Sequence, residues 1–572
     1  MGTGVPPARL FFVALLLALS AVPLSDEAGA QAPGRPNILI ILTDDQRGTD
    51  TMQAMTDTLN RFAQGGVSFP NGYAATPVCC PARAAIMTGR FAHNNGVRTN
   101  GDKDNLVQES TVQKYLGDAG YRTAIVGKYL NGWDIAQDPP FFDRWSIMQP
   151  GYYNRNWNIE GSVQNVPTYS TDFVAEKALD YLQAFESDDA DPWFLYLAPY
   201  APHAPLVVEP DYENADVGSW AGNPGVFETD ETDKPLYVRN SSETLADAQA
   251  RRQGQLRMLL SVDDMVETVF QELEARGEEN TLAFFLSDNG FMWSEHGLTA
   301  KNKPYTESIH IPFLARWPGH LAPGSVDPRL VANIDVAPTI MDAAGIASSP
   351  QYPMDGVSLL QPISRTKMLT EGWAGGNIGT WASIRTPRYQ YIEYYADDGL
   401  TVTFRELYSL AKDPWQLENV LGDATTRNDS DVAGLAAELA ASRTCSGGSC
   451  LSALTSTVAL CAGRETRLAD HLVGTEGADR LVGGAGAHLA CGFGGNDRVR
   501  TGPGRDVLLG SGGRDVLRGG KGRDELVGGG GKDQLKGQAG RDRLRGGPGK
   551  DRCTGGPGHD RGSSCETKSS IP

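Results

Sequence analysis

From Pro36 to about Ile363, short apolar runs alternate with stretches of helical periodicity: VQKYLGDAG precedes YRTAIVG, and DDMVETVFQELEARG precedes TLAFFLSDNG. That alternation predicts an α/β unit over residues 34–365, a mostly parallel sheet sandwiched by helices. In such folds ligands bind beyond the carboxyl ends of the strands, so the residues that follow each run matter most. NILIILT leads to Asp44-Asp45, TAIVG to Lys128, PWFLYLAPYAP to His203 and TLAFFLS to Asp288-Asn289. One sheet edge would gather all of them. From about Lys367 the runs shorten to WASIRT, RYQYIEYY and TVTFREL with turns between, predicting a small antiparallel subdomain over 366–425. A Ser/Ala/Gly-rich stretch over 426–470 reads as a linker region.

Beyond it the chain repeats every nine residues. Glycine stands at 477, 486, 495, 504, 513, 522, 531, 540, 549 and 558, and two residues after each come Asp479, His488, Asp497, Asp506, Asp515, Asp524, Asp533, Asp542, Asp551 and Asp560. An apolar residue usually follows two later, as at Leu508, Leu517 and Leu526. Glycine turns expose carbonyls, the aspartate supplies a carboxylate and the apolar residue fills a thin core, which predicts a parallel β-roll over 471–562, with 563–572 as a tail. The segment resembles the calcium-binding nonapeptide repeats of hemolysin-type secreted proteins, and the resemblance implies Ca²⁺ at those aspartates. One departure is the cation before the aspartate in six successive registers, Arg505, Arg514, Arg523, Lys532, Arg541 and Lys550. Stacked turns would bring these like charges roughly 5 Å apart, lowering calcium affinity and suiting an anionic polymer.

Length and composition then narrow the classes. At 572 residues the chain is long enough for two or three domains. Arg9, the apolar run LFFVALLLALSAV and the small-residue pattern Ala28-Gly29-Ala30 read as a signal peptide over 1–30, with a mature chain starting near Gln31 and no later membrane span. A secreted or cell-surface protein follows, and export permits disulfides. Six of the eight cysteines, Cys445, Cys450, Cys461, Cys491, Cys553 and Cys565, lie in the last quarter, and the other two are the adjacent Cys79-Cys80. The formal net charge is −19. Residues 474–562 alone carry 16 Lys+Arg against 11 Asp+Glu, so the rest of the chain is strongly acidic. That balance argues against nucleic acid as a partner and leaves the basic repeats open to a polyanion.

The chemistry starts from the acids. Asp44, Asp45, Asp288 and Asn289 offer three carboxylates and an amide oxygen at two strand ends, hard ligands that favour Ca²⁺ or Mg²⁺ over zinc. Between the two pairs lies TPVCCPARAAIMTGR, where Cys79-Cys80-Pro81-Ala82-Arg83 and Thr88-Gly89-Arg90 resemble the Cys-x-Pro-x-Arg signature of sulfatases, whose first cysteine is oxidised to formylglycine. Gly120 to Lys128, GYRTAIVGK, resembles the family's second signature. The likeness runs from about Asn37 to Leu421 and is nearest the N-acetylglucosamine-6-sulfatase branch: compare GKYLNGW, APHAP, LLSVDDMVE, SDNG and NIDVAPTIMD.

That resemblance implies an alkaline-phosphatase-like sulfatase fold, with Cys79 as the modified nucleophile and Cys80 a bystander. It implies a divalent cation held by Asp44, Asp45, Asp288, Asn289 and the modified Cys79. Arg83 would hold formylglycine, Lys128 and Lys301 would hold sulfate, and His203 would act on the leaving group. Lys301 is preferred to Lys303 because Tyr305 and Pro312 then fall at the family's spacing. Where many sulfatases carry a second histidine, this chain has Leu130 followed by Asn131. His296 and His93 are each open to a site or a structural role. The expected function is hydrolysis of sulfate monoesters, on sulfated sugars such as 6-sulfated N-acetylglucosamine or on aryl sulfates, after maturation by a formylglycine-generating enzyme. The alternatives are a phosphoester or phosphonate hydrolase of the same superfamily and a non-catalytic calcium-binding surface protein.

Overall fold

The computed structural model describes residues 34–187, 191–349, 351–362, 365–375, 377–422, 432–455, 470–473 and 478–569, with Met1 and Gly2. Residues 3–30 of the signal-peptide segment and Cys461 fall outside them. A ten-stranded sheet organises the first part of the chain, with Asn37–Thr43 flanked by Thr281–Ser287 on one side and by Trp193–Ala198, Arg122–Gly127 and Arg144–Met148 on the other, all parallel. Antiparallel pairings appear only toward the edges, at Phe313–Arg316 and at the ribbon Arg155–Ile159 and Ser162–Val166.

Alternation along the central strand decides the layers. Ile38, Ile40 and Leu42 point into one core with helices Cys79–Thr88, Val112–Asp118 and Val336–Ala343. Leu39 and Ile41 point into the other, beneath Thr56–Ala63, Ser170–Glu186 and the 32-residue helix Leu245–Arg276. The strand is apolar on both faces because both are covered. Registers Thr43↔Ser287 and Gly127↔Ala198 end the strands together, so the residues beyond them meet at one edge.

A four-stranded antiparallel sheet, Met368–Gly372, Thr380–Arg385, Gln390–Tyr395 and Val402–Tyr408, follows as expected. The linker reading of 426–470 needs correction. Helices Val432–Arg443 and Gly448–Thr455 lie in that stretch, joined by a Cys445–Cys450 disulfide. Leu439, Cys445, Cys450 and Leu454 are buried in the same core as Trp381 and Tyr391 of the antiparallel sheet. Helix-favouring Ala and Leu, with an apolar face to bury, outweigh the loop-like composition.

The repeats form a β-roll whose strands alternate between two parallel sheets. Its core is one rail of side chains, including Leu508, Leu517, Leu526, Leu535 and Leu544. A Cβ on Gly522 would stand 1.6 Å from the carbonyl oxygen of Gly504 one rung away, so the turn admits only glycine there. Two expectations change. Registered neighbours are eighteen residues apart, not nine, as in Leu517↔Leu535. The six turn cations therefore divide into two columns, Arg505 with Arg523 and Arg541, and Arg514 with Lys532 and Lys550. Second, the tail over 563–572 is part of the roll as far as it is described, since Thr567–Ser569 pairs with Arg552–Thr554 and Cys565 is bonded to Cys553. Cys491 is disulfide-bonded as well.

Candidate active site

The edge where the parallel strands end collects the residues singled out above. Asp44 and Asp45 leave the central strand through a sharp turn, with Asp45 at φ 71°, a left-handed conformation unusual for aspartate. That turn is locked from below, where the neighbouring Arg47 donates to Glu295 at 2.8 Å, both side chains fully buried. Asp288 accepts from the Asp45 backbone N–H at 3.2 Å, and the Asn289 amide donates to Asp45 Oδ1 at 2.7 Å. The two acidic pairs thus meet across adjacent strands.

Cys79 opens the helix Cys79–Thr88, all of it buried, and its Sγ lies 3.4 Å from Asp44 Oδ1 and 2.8 Å from Lys301 Nζ. The positive end of that helix favours negative charge at Cys79. Arg83, one turn on, donates to Asp288 Oδ2 at 2.9 Å and to the Lys128 carbonyl at 2.8 Å, with Asp44 Oδ2 at 3.4 Å. Lys128 bonds Asp44 and Lys301 bonds Asp45. His203 Nε2 stands 3.6 Å from Asp45 Oδ2. Cys80 points into the sheet core instead, with its backbone N–H on Asn100.

Charge at this edge is balanced by pairing. Burial raises the Asp44 carboxyl, but Lys128, His203, Arg83 and Lys301 outweigh it and hold the group well below the ordinary carboxylate range. Burial, then Asp44, pushes Asp288 up. Burial and the Asp44 carboxylate push the Cys79 thiol up to about 12, which favours the protonated thiol at neutral pH. An unmodified Cys79 is a poor nucleophile here.

The donor set suits a hard divalent cation. Ligand atoms of Asp44, Asp45, Cys79 and His203 lie within 4.8 Å of one another. Asn289 Oδ1 is buried with no hydrogen-bond partner among the described residues, as an amide oxygen awaiting a cation would be. The roll shows a parallel pattern: from Asp497 to Asp542 the backbone N–H of each repeat aspartate donates to the aspartate carboxylate of the next rung, as from Asp515 to Asp533 at 2.9 Å. The other oxygens, Oδ2 of Asp506, Asp515, Asp524, Asp533, Asp542, Asp551 and Asp560, are buried without a hydrogen-bond partner among the described residues.

Solvent reaches this centre on one side. The side chains of His203 and Lys301 are 24% and 15% exposed, against 0–2% for Asp44, Asp45, Lys128 and Arg83. A substrate would enter past those two. Tyr200, which the sequence did not single out, stacks on His203 with ring centroids 4.7 Å apart and meets its Nδ1 at 2.7 Å. The Ala204 carbonyl, which can only accept, lies against both that nitrogen and the Tyr200 hydroxyl, so Nδ1 carries a proton and Nε2 faces the site. Lys303 turns away to the Lys301 carbonyl at 2.9 Å. His296 is fully buried against Glu228 and Tyr305, and His93 bonds Glu371 at 2.8 Å and the Cys445 carbonyl at 3.0 Å, so both are structural. Leu130 lies in the sheet core.

Known proteins are similar to this chain. The sulfatase family model matches residues 36–346, that of the N-sulphoglucosamine sulphohydrolase C-terminal region matches 294–443, and that of the RTX calcium-binding nonapeptide repeat matches 466–487, 492–526 and 527–561. The chain is 30% identical over 475 residues to the N-acetylglucosamine-6-sulfatase of Homo sapiens, 71% of this chain and 85% of that protein. It is 32% identical over 377 residues to the extracellular sulfatase SULF-1 homolog of Drosophila melanogaster, 62% of this chain but only 34% of that longer protein. A solved structure described in complex with its substrate D-glucosamine-2-N,6-O-disulfate superposes with a TM-score of 0.61 at 24% identity, over 71% of this chain and 97% of that one, and shares the fold. The family model spans more than half of the chain and includes the whole strand-end centre, so this protein belongs to the sulfatase family and carries a C-terminal roll of RTX-type repeats.

Proposed function

We propose that the protein is a secreted or cell-surface, divalent-cation-dependent sulfatase acting on 6-sulfated N-acetylglucosamine or a closely similar sulfated sugar, through formylglycine made from Cys79. The observation that carries the proposal is the placement of Cys79. Its sulfur lies between the Asp44 carboxylate and the Lys301 ammonium at the start of a buried helix. Oxidised and hydrated, that position supplies two hydroxyls, one to attack sulfur and one whose deprotonation releases sulfate. Asp44, Asp45, Asp288, Asn289 and the modified Cys79 would hold Ca²⁺ or Mg²⁺, which would polarise the sulfate oxygens.

The chain's own residues do the rest. Arg83, pinned by Asp288 and the Lys128 carbonyl, keeps a fixed positive charge beside Cys79. Lys128 and Lys301 bind the sulfate oxygens as charge moves toward the leaving oxygen. His203, whose Nδ1–H is held by the Ala204 carbonyl, presents Nε2, which as the imidazolium beside Asp45 would give its proton to the leaving alcohol and leave the ring neutral. The N-acetylglucosamine-6-sulfatase relative supports the sugar, and the disulfides support export.

Comparing sulfate and phosphate monoesters of one leaving group tests this reading. The sulfate should turn over at least about tenfold faster, EDTA should abolish turnover, and added Ca²⁺ or Mg²⁺ should restore it. Faster phosphate hydrolysis would instead support the phosphoester or phosphonate reading, and no turnover of either ester by protein carrying formylglycine would support the non-catalytic one.

For the roll we propose that Ca²⁺ satisfies the buried aspartate oxygens. Asp515 and Asp524 are pushed up to about 7 by burial and by the carboxylates of neighbouring rungs. The folded roll without calcium therefore binds more protons than the unfolded chain, so its stability falls as pH rises from about 4 to about 7. Thermal melts of the full chain in EDTA should show the repeat transition moving down across that window, and Ca²⁺ at neutral pH should move it back up. A calcium-free transition that rises with pH would refute it.

A further inference from the structure

The charges of the roll are sorted by layer. Eight aspartates, from Asp497 to Asp560, are buried, while the arginines and lysines between them are exposed. The two sheets differ on their outer faces. In the sheet containing Val507–Gly513, Leu489, Val507 and Leu509 open the outward columns, apolar and buried, and Glu525 precedes Arg543, Arg545 and Arg561 in the last rungs. In the sheet containing Val516–Gly522, inward Val499, Leu517 and Leu535 alternate with an outward column in direct register, Arg500↔Arg518↔Lys536. Exposed Arg498 and Arg552 lie in the parallel column beside it. The other registered outward positions from Arg480 to Thr554 hold no acidic residue.

Like charges directly opposite on neighbouring strands are destabilising, and strand spacing sets these about 4.8 Å apart. Arg500, Arg518 and Lys536 make no ion pair among the described residues, so no carboxylate among those residues offsets their repulsion. We propose that this open face is a non-catalytic binding site for a sulfated polysaccharide, which would lie across the strands with one sulfate or carboxylate over each rung. The face has no aromatic side chain at its outward positions among the described residues. A nucleic acid would call for an element that enters a groove or for stacking platforms. A linear polyanion needs neither. The inference builds on the proposed sugar-sulfate activity, because the face would hold the enzyme on the polymer whose sulfates it removes while the acidic remainder of the chain repels that polymer.

The full chain carrying Cys79→Ala, so that the polymer is not consumed, should bind a fluorescent, highly sulfated polysaccharide in calcium buffer, as read by anisotropy. Affinity should fall steeply between about 50 and about 200 mM salt, and the desulfated polymer should not bind. R500Q/R518Q/K536Q in that background should weaken binding roughly tenfold or more, while R500K/R518K keeps it. In the Cys79 form, the triple variant should hydrolyse a small sulfate ester at the parent rate. Absence of binding, equal binding by the triple variant, or equal affinity for duplex DNA would each overturn the proposal. Binding is read without turnover, so failure of the sulfatase reading would leave this result standing, and the reverse.

Discussion

Cys79→Ala should lower turnover of both an aryl sulfate and N-acetylglucosamine-6-sulfate by more than about 10³-fold, with the protein still folded. The change removes one buried sulfur atom and adds no charge, so the cost in stability should stay within about 1–2 kcal/mol. Asp44 and Lys301 lose a contact but keep their partners Lys128 and Asp45. The parent protein from its own host should give a peptide across Cys79 that is lighter by about 18 Da than the cysteine form, the mark of formylglycine, and Cys80 should be unmodified. Retention of a tenth of the activity by the alanine variant would remove Cys79 from the chemistry.

Asp44→Asn should be the most destabilising single change at the centre. Its carboxylate pairs with two buried cations, Lys128 at 2% and Arg83 at 0% exposure, and removing one partner of a buried pair costs about 3–5 kcal/mol because the remaining charge loses its counterion. Denaturant unfolding should show the loss, and Lys128→Met added to Asp44→Asn should recover part of it. The pH dependence has a definite sign. Because the folded group titrates below its ordinary value near 3.8, its stabilisation is complete above that value and fades as pH falls below it. The parent should lose more stability than the variant between about pH 4 and about pH 2. Equal acid sensitivity would mean that the cations have re-paired with Asp288.

Much of this centre was legible because it is written in short-range patterns. A strand apolar on both faces announces its own end, and the acids and cations that follow such strands meet wherever the strands are parallel and in register. Cys79 and Arg83 are one helical turn apart, within reach of a local motif. Partners chosen across the fold were not legible. Arg47 and Glu295 are 248 positions apart, and Tyr200 reads as one more core aromatic until its ring is seen beneath His203. The helices over 432–455 were missed because Ala, Ser and Gly dilute the apolar period, and their burial depends on a sheet formed earlier in the chain. The turn cations were misread as one strip because a period of nine does not say whether a rung of the roll is nine residues or eighteen.

That eighteen-residue rung gives the repeats a parity. Deleting one nonapeptide would move every later strand to the opposite wall, so Lys536 would leave the column of Arg518 and the later cations would change sides. Deleting two would shorten the roll by one rung and leave each remaining residue on its own wall. Repeats in such a segment should therefore be tolerated as gains and losses in pairs, with single-unit changes scrambling the charge pattern even where every glycine and aspartate is kept.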